Sequence, residues 1–242
     1  MILSALAFAS IESLASTSPP VRRDSCDAAS LKALPLIERP ARSDTGEVVV
    51  LLLTGDGGWA SADEGVSRAL LTRGAAIVGM NMRSYLSRPR SPDEFARDVA
   101  CIAESYMARW QRPWLMLLGY SRGADLAPFA ASRLSPDLRR RITTLTLVSP
   151  SQWAGFQFHL IDLVRDVHRP NDLPVAPELE KLKDLRVLCI AGRHDSSALC
   201  PGLVGANLEV IMLEGGHRIS GGYDAMAQWL AEGLRPPAPP GP

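Results

Sequence analysis

Histidine, lysine and cysteine are scarce in this chain, whose 242 residues carry four, three and four of them. Each scarcity narrows what the protein does. Arginine supplies nearly all of the 26 basic residues, and 26 acidic residues balance them to a formal net charge of zero, so nothing here calls for nucleic acid. The excess of arginine over Lys32, Lys181 and Lys183 reflects genome composition more than function. No spacing among Cys26, Cys101, Cys189 and Cys200 has the form of a zinc site. Neither a metal nor a cofactor is expected. No apolar run reaches the roughly 20 residues that cross a bilayer as a helix. There is no internal repeat, and Gly55-Asp56-Gly57-Gly58 lacks the Gly-Lys-Ser/Thr ending by which a phosphate loop holds a nucleotide.

What is present suits a globular enzyme. Hydrophobic residues make up 46% and charged residues 21%, and this length supports one domain with a sizeable core. Residues 1–18 are small and apolar, then Ser-rich, and read equally well as a signal peptide and as a disordered or helical leader. The domain spans 19–234. Prolines at 236, 237, 239, 240 and 242 make 235–242 a disordered tail.

Hydrophobic patterning alternates strands with helices. Residues 19–45 are irregular apart from an edge strand around Leu34 to Glu38. Glu47 to Leu53 is continuously apolar, as a strand covered on both faces is. A helix from about Ala62 to Arg73, a strand from Ala75 to Met80 and a helix opened by Ser91-Pro92-Asp93-Glu94 follow. Further strands are expected at Trp114 to Leu118, Arg141 to Pro150, Leu185 to Ala191 and Leu208 to Leu213, with a closing helix from Tyr223 to Leu234. This order predicts an α/β fold, a mainly parallel sheet with helices on both faces. Between Ser151 and Asp184 regularity lapses into a loop-rich insertion over the sheet's carboxyl edge, read equally as a lid and as a packing excursion.

One stretch organises the rest: Gly119-Tyr120-Ser121-Arg122-Gly123, a G-x-S-x-G pentapeptide between an apolar strand and a helix rich in small residues. In such an elbow the serine is presented on a strained turn, and glycines let strand and helix backbones approach. A serine hydroxyl needs a base to act as a nucleophile at neutral pH. His217 follows the last strand and is the candidate, and Asp195, after the strand ending at Ala191, is the carboxylate that would orient it. The order Ser121, Asp195, His217 is the hydrolase order. Glu214 and Asp224 lie too close in sequence to His217 to reach it from the far side. For the oxyanion, the backbone N–H groups of Arg122 and Asp56 are the expected donors. Cys189 and Cys200 flank the Asp195 loop; a bridge between them would clamp it and contribute about 3 kcal/mol. A buried, unpaired Cys189 remains the other reading.

With those residues placed, the chain resembles the VirJ and AcvB family of bacterial virulence-associated α/β-hydrolases. The matching strings are Leu53-Thr54-Gly55-Asp56-Gly57-Gly58-Trp59, Asn81-Met82-Arg83-Ser84-Tyr85-Leu86 with Ser91-Pro92, Gly119 to Asp125, and Gly215-Gly216-His217. Gly57, Trp59, Tyr120 and Asp125 lie within them and are the candidate substrate-binding residues. The resemblance implies a periplasmic protein acting at the inner-membrane surface, linked to type IV secretion components and to hydrolysis of lysyl-phosphatidylglycerol by a serine esterase. A non-catalytic secretion accessory factor on the same fold is the alternative. The chain departs from the family at Arg122, where an aromatic residue is more usual. That cation is expected to be neutralised by Asp125, which otherwise holds a substrate ammonium with Asp56 or is simply a first-turn acid favoured by the helix dipole.

Overall fold

The computed structural model describes residues 26–41, 46–163 and 167–237. The leader at 1–18 and the tail from 238 onward lie outside the described residues; Pro236 and Pro237 are exposed and in no regular element. In chain order the elements are α1 (Ala28–Lys32), β1 (Leu36–Arg39), β2 (Val48–Leu53), α2 (Ser61–Leu71), β3 (Ala76–Met80), α3 (Met82–Tyr85), α4 (Pro92–Arg109) and β4 (Trp114–Tyr120). They continue with α5 (Arg122–Ala131), α6 (Pro136–Arg139), β5 (Ile142–Val148), β6 (Trp153–Ala154), β7 (Leu173–Pro174), α7 (Ala176–Leu179), β8 (Val187–Gly192), β9 (Leu208–Leu213) and α8 (Gly222–Glu232).

Seven strands form one sheet in the order β1-β3-β2-β4-β5-β8-β9. Only β1 runs antiparallel, on β3; every other neighbour pair is parallel. Every residue of β2, β3, β5 and β8 is buried. Such strands have no solvent face, which is why their sequences are runs of apolar residues rather than alternations. Alternate residues still go to opposite sides. Val49, Leu51 and Leu53 pack with α4 and α5, whereas Val48, Val50 and Leu52 pack with Leu70 of α2 and Met226 and Leu230 of α8. Each fully buried leucine in these layers contributes about 2 kcal/mol.

Local signals fix the helix ends. Ser91 caps α4 by accepting the Glu94 N–H at 3.1 Å, with Pro92 in the first turn. Gly74, at φ +83°, lets the chain leave α2 and enter β3. The N-terminal stretch is more regular than its prolines suggest. Asp27 caps the short helix α1 by accepting from Ser30 N–H at 2.7 Å, and the edge strand begins at Leu36 rather than Leu34.

Two disulfides bind the frame. Cys189 of β8 is bridged to Cys200, as one reading of the sequence expects, and Cys26 is bridged to Cys101 on α4. The second pairing was not anticipated, because 75 residues separate the two cysteines and only the packing of the N-terminal segment on α4 brings them together. In the chain-entropy picture bridges of these spans stabilise by about 3 and 4.5 kcal/mol respectively.

The insertion is largely a packed excursion. The Phe156 ring meets Phe129 of α5 edge-on at 5.3 Å, its carbonyl accepts from Arg90 N–H at 2.9 Å, and Phe158 N–H donates to Leu86 at 2.9 Å. A short antiparallel pairing of β6 with β7 closes it. Among the described residues of the insertion, Asp162 and Leu163 of its 3₁₀ turn reach the cleft described next.

Candidate active site

At the carboxyl end of β4 the chain makes the expected elbow. Ser121 has φ +51° and ψ −120°, a conformation that non-glycine residues adopt only under strain, and α5 starts at the next residue. The flanking glycines are sterically required. A Cβ on Gly119 would sit 2.4 Å from the Gly123 carbonyl oxygen, and one on Gly123 would sit 2.1 Å from that of Leu53. The Ser121 carbonyl accepts the Ala124 and Asp125 N–H groups, and its own N–H donates to Val148, so neither end of the turn swings freely.

Ser121 Oγ lies 2.8 Å from His217 Nε2, and His217 Nδ1 lies 3.0 Å from Asp195 Oδ2. Three loops at the carboxyl ends of β4, β8 and β9 thus deliver a serine, an acid and a histidine in one line. Asp195 is nearly buried, at 5% side-chain exposure, and its second oxygen accepts from Ser197 N–H and Oγ–H at 3.1 and 2.7 Å. That sharing fixes which oxygen faces the imidazole. The acid loop and the histidine loop run side by side: Arg193 and His194 N–H groups donate to Leu213 and Gly215. A Cβ on Gly192 would fall 2.1 Å from the Gly216 carbonyl oxygen, so only glycine permits this approach. The Cys189–Cys200 bridge and the Leu199 N–H bond to Pro150 hold the far side of the acid loop.

Two of the other three histidines are placed elsewhere. His168 stacks on Trp153 at 4.1 Å, and His194 is exposed, 3.7 Å from Glu214. Glu214 also pairs with Arg193 and points to solvent.

Arg122 N–H lies at the positive end of α5, and Asp56 occupies the turn closed by Gly58 N–H to Gly55 at 3.0 Å. Neither backbone N–H bonds a protein carbonyl among the described residues. Their side chains tie the two loops together: Arg122 Nε donates to both Asp56 oxygens at 3.2 and 3.3 Å. The same guanidinium bonds Asp162 at 3.2 Å, and Asp162 in turn takes Arg169 at 2.6 Å. Burial alone would lower the Arg122 pKa, but Asp56, Asp125 and Asp162 outweigh it and raise it. The ion pairs that hold Arg122 are with Asp56 and Asp162 rather than with the expected Asp125, whose charge adds to theirs in favouring the cation.

A cleft of about 480 Å³ opens beside Ser121 and His217, walled by Leu52, Val66, Leu118, Val148, Met226 and Leu230. It lies between α2 and α8 rather than beneath the insertion. Gly57 and Tyr120 line it, and the Tyr120 ring stands 6.3 Å from that of His217. Burial raises the Tyr120 hydroxyl pKa.

Two candidate substrate-binding residues are elsewhere. Trp59 lays its indole on Gly79, where a Cβ would come within 2.1 Å of the ring, and donates Nε1–H to Glu64 at 2.6 Å beneath Arg39. It braces the loop after β2. Asp125 is buried and accepts the Ser151 N–H at 2.6 Å, bracing the start of the insertion instead of facing substrate. Sequence reasoning in turn missed Asp63, a cleft residue at 5% exposure whose Oδ2 accepts the Ala60 N–H at 2.9 Å. Its spacing to Val66 and Leu70 places it on the inward stripe of α2, and that periodicity is the signal that would have found it.

Solved structures show where this fold recurs. The Pyrococcus furiosus esterase Pf2001 superposes with a TM-score of 0.59 at 14% identity, covering 86% of this chain and 94% of that one. Est1E of Butyrivibrio proteoclasticus, determined with ferulic acid, gives 0.58 at 13%, with 82% and 93% covered. XC6422 of Xanthomonas campestris, described as an α/β serine hydrolase without lid, gives 0.55 at 19%, with 85% and 90% covered. At these identities the likeness establishes the α/β-hydrolase fold. Curated proteins offer no sequence match. Residues 47–237 match the family described as bacterial virulence protein (VirJ), and with so much of its length matched the chain belongs to the VirJ family.

Proposed function

We propose that the protein is a serine hydrolase acting on carboxylic esters. The observation that carries this is the line from Ser121 Oγ through His217 to Asp195, at 2.8 and 3.0 Å, beside an open cleft. In the reaction His217 Nε2 takes the Ser121 proton as Oγ attacks the ester carbonyl. The tetrahedral oxyanion is held by the Arg122 and Asp56 N–H groups, aligned by the ion pair between their side chains. His217 then returns the proton to the leaving alcohol oxygen, and water, deprotonated by the same imidazole, releases the acid from Ser121.

Within that class, the family resemblance favours an aminoacylated phospholipid such as lysyl-phosphatidylglycerol. Ser121 takes the aminoacyl group and phosphatidylglycerol leaves. Two features support action at a membrane surface in an oxidising compartment such as the periplasm. Leu160, Ile161 and Leu163 are exposed on the turn at the cleft's edge, and the two disulfides suit such a compartment.

The test is labelling with a fluorophosphonate probe, mapped by mass spectrometry. Labelling at Ser121 in the wild type, absent in Ser121→Ala and strongly slowed in His217→Ala, is expected. A folded wild-type protein that stays unlabelled overturns the hydrolase and favours the non-catalytic secretion factor. That reading also predicts that Ser121→Ala leaves the biological phenotype intact.

A further inference from the structure

The cleft has a marked chemical asymmetry. Its walls are apolar, and three aspartates reach it: Asp56, Asp63 and Asp162. Two are already neutralised. Asp56 pairs with Arg122, and Asp162 with Arg122 and Arg169. Asp63 is different. One oxygen accepts the Ala60 N–H as the third-residue acid of the α2 capping turn, and no cationic side chain of the described residues pairs with it. The charged neighbour acting on it is another acid, Glu64, and burial raises its pKa. A desolvated carboxylate without a counterion is costly and is relieved when a cation is brought to it.

Among the described residues lining the cleft, Arg218 is the one arginine or lysine, and it is exposed. The site is therefore negative within and positive at the exposed Arg218.

We propose that Asp63 is the specificity-determining residue of the cleft, selecting esters whose acyl chain is apolar along its length and carries an ammonium group at its far end. The methylenes lie against Leu52, Val66, Leu118 and Met226, and the ammonium meets the Asp63 oxygen not used by the cap. This rests on the hydrolase reading and deepens it, since it names the residue that distinguishes an aminoacyl ester from a fatty acyl ester of the same size. Asp63 acts in binding and takes no part in bond making.

Two p-nitrophenyl esters test it, the 6-aminohexanoyl and the heptanoyl, which differ in whether the chain ends in an ammonium or a methyl group. The wild type is expected to favour the aminohexanoyl ester in kcat/KM by at least about tenfold, and Asp63→Asn to erase that preference, mainly through KM. Asparagine still accepts the Ala60 N–H, so the helix cap survives. A merely structural Asp63 would lower both esters together and leave their ratio unchanged, which overturns the inference.

Binding supplies a readout without catalysis. In calorimetry with Ser121→Ala, hexylamine is expected to bind at least about tenfold tighter than 1-hexanol, and the difference to vanish when Asp63→Asn is added. Equal binding of the two overturns the proposal. Turnover of both esters without preference would sink the Asp63 role and leave the hydrolase standing. Selective amine binding with no turnover of either ester would uphold the cleft's selectivity and sink the hydrolase.

Discussion

Replacing Asp195 by asparagine separates a working relay from an accidental alignment. Asp195 Oδ1 accepts two bonds from Ser197 and Oδ2 faces His217 Nδ1 at 3.0 Å. Asparagine keeps the first oxygen's role, so its amide nitrogen must take the second position and present N–H to Nδ1. The imidazole is then driven to the tautomer carrying its proton on Nε2, which points at Ser121 Oγ 2.8 Å away. A nitrogen already protonated cannot accept the serine's proton. The expected loss in kcat is about 10⁴-fold, equivalent to about 5 kcal/mol of barrier, the effect of a wrong tautomer in a triad of this kind. Stability should change by less than about 2 kcal/mol, because the buried side chain keeps its size and its bonds to Ser197. Kinetics with p-nitrophenyl acetate alongside a thermal melt provide the assay. Glu214→Gln is the control, since that acid is exposed and pairs with Arg193. If Asp195→Asn retained activity within tenfold of wild type with an unchanged melt, the role given to Asp195 would be refuted.

Gly123→Ala should cost at least about 3 kcal/mol in urea unfolding, because its Cβ would lie 2.1 Å from the Leu53 carbonyl oxygen and backbone cannot yield cheaply there. A loss under 1 kcal/mol would mean the elbow is looser than described. Glu178 makes a pH prediction. Burial alone would raise its pKa, but bonds from Lys181, Ser132 and Arg133 outweigh that and lower it. Its contribution is therefore present above the unfolded carboxylate value and fades as pH falls through the lowered folded one. Glu178→Gln should lose stability relative to wild type at pH 7, and the gap should narrow below pH 4 in urea midpoints; a gap constant with pH would contradict the assignment.

The parts of this molecule that are legible in its sequence are those governed by local chemistry. Val48 to Leu53 is a buried parallel strand because nothing polar interrupts it, and Ser121 stands on an elbow because Gly119 and Gly123 leave room for backbone alone. Asp195 and His217 follow from strand ends in hydrolase order, and the structure brings both to Ser121. What stays hidden depends on tertiary direction. The Cys26–Cys101 pair is 75 residues apart, and no spacing reveals it. Trp59 and Asp125 lie in the most distinctive strings of the family, yet one rests on Gly79 and the other holds Ser151 N–H. Their distinctiveness reflects loops that must keep a shape, which is as demanding of residue type as chemistry is. Asp63 shows the converse. It lies outside those strings and reads as an ordinary helix-cap acid, but the α2 periodicity turns it inward and α8 closes the opposite wall of the cleft. On the proposed reading, the strings carry the reaction and the helices that wall the cleft carry the substrate preference, so substitutions on α2 and α8 are where relatives would come to differ in the esters they take.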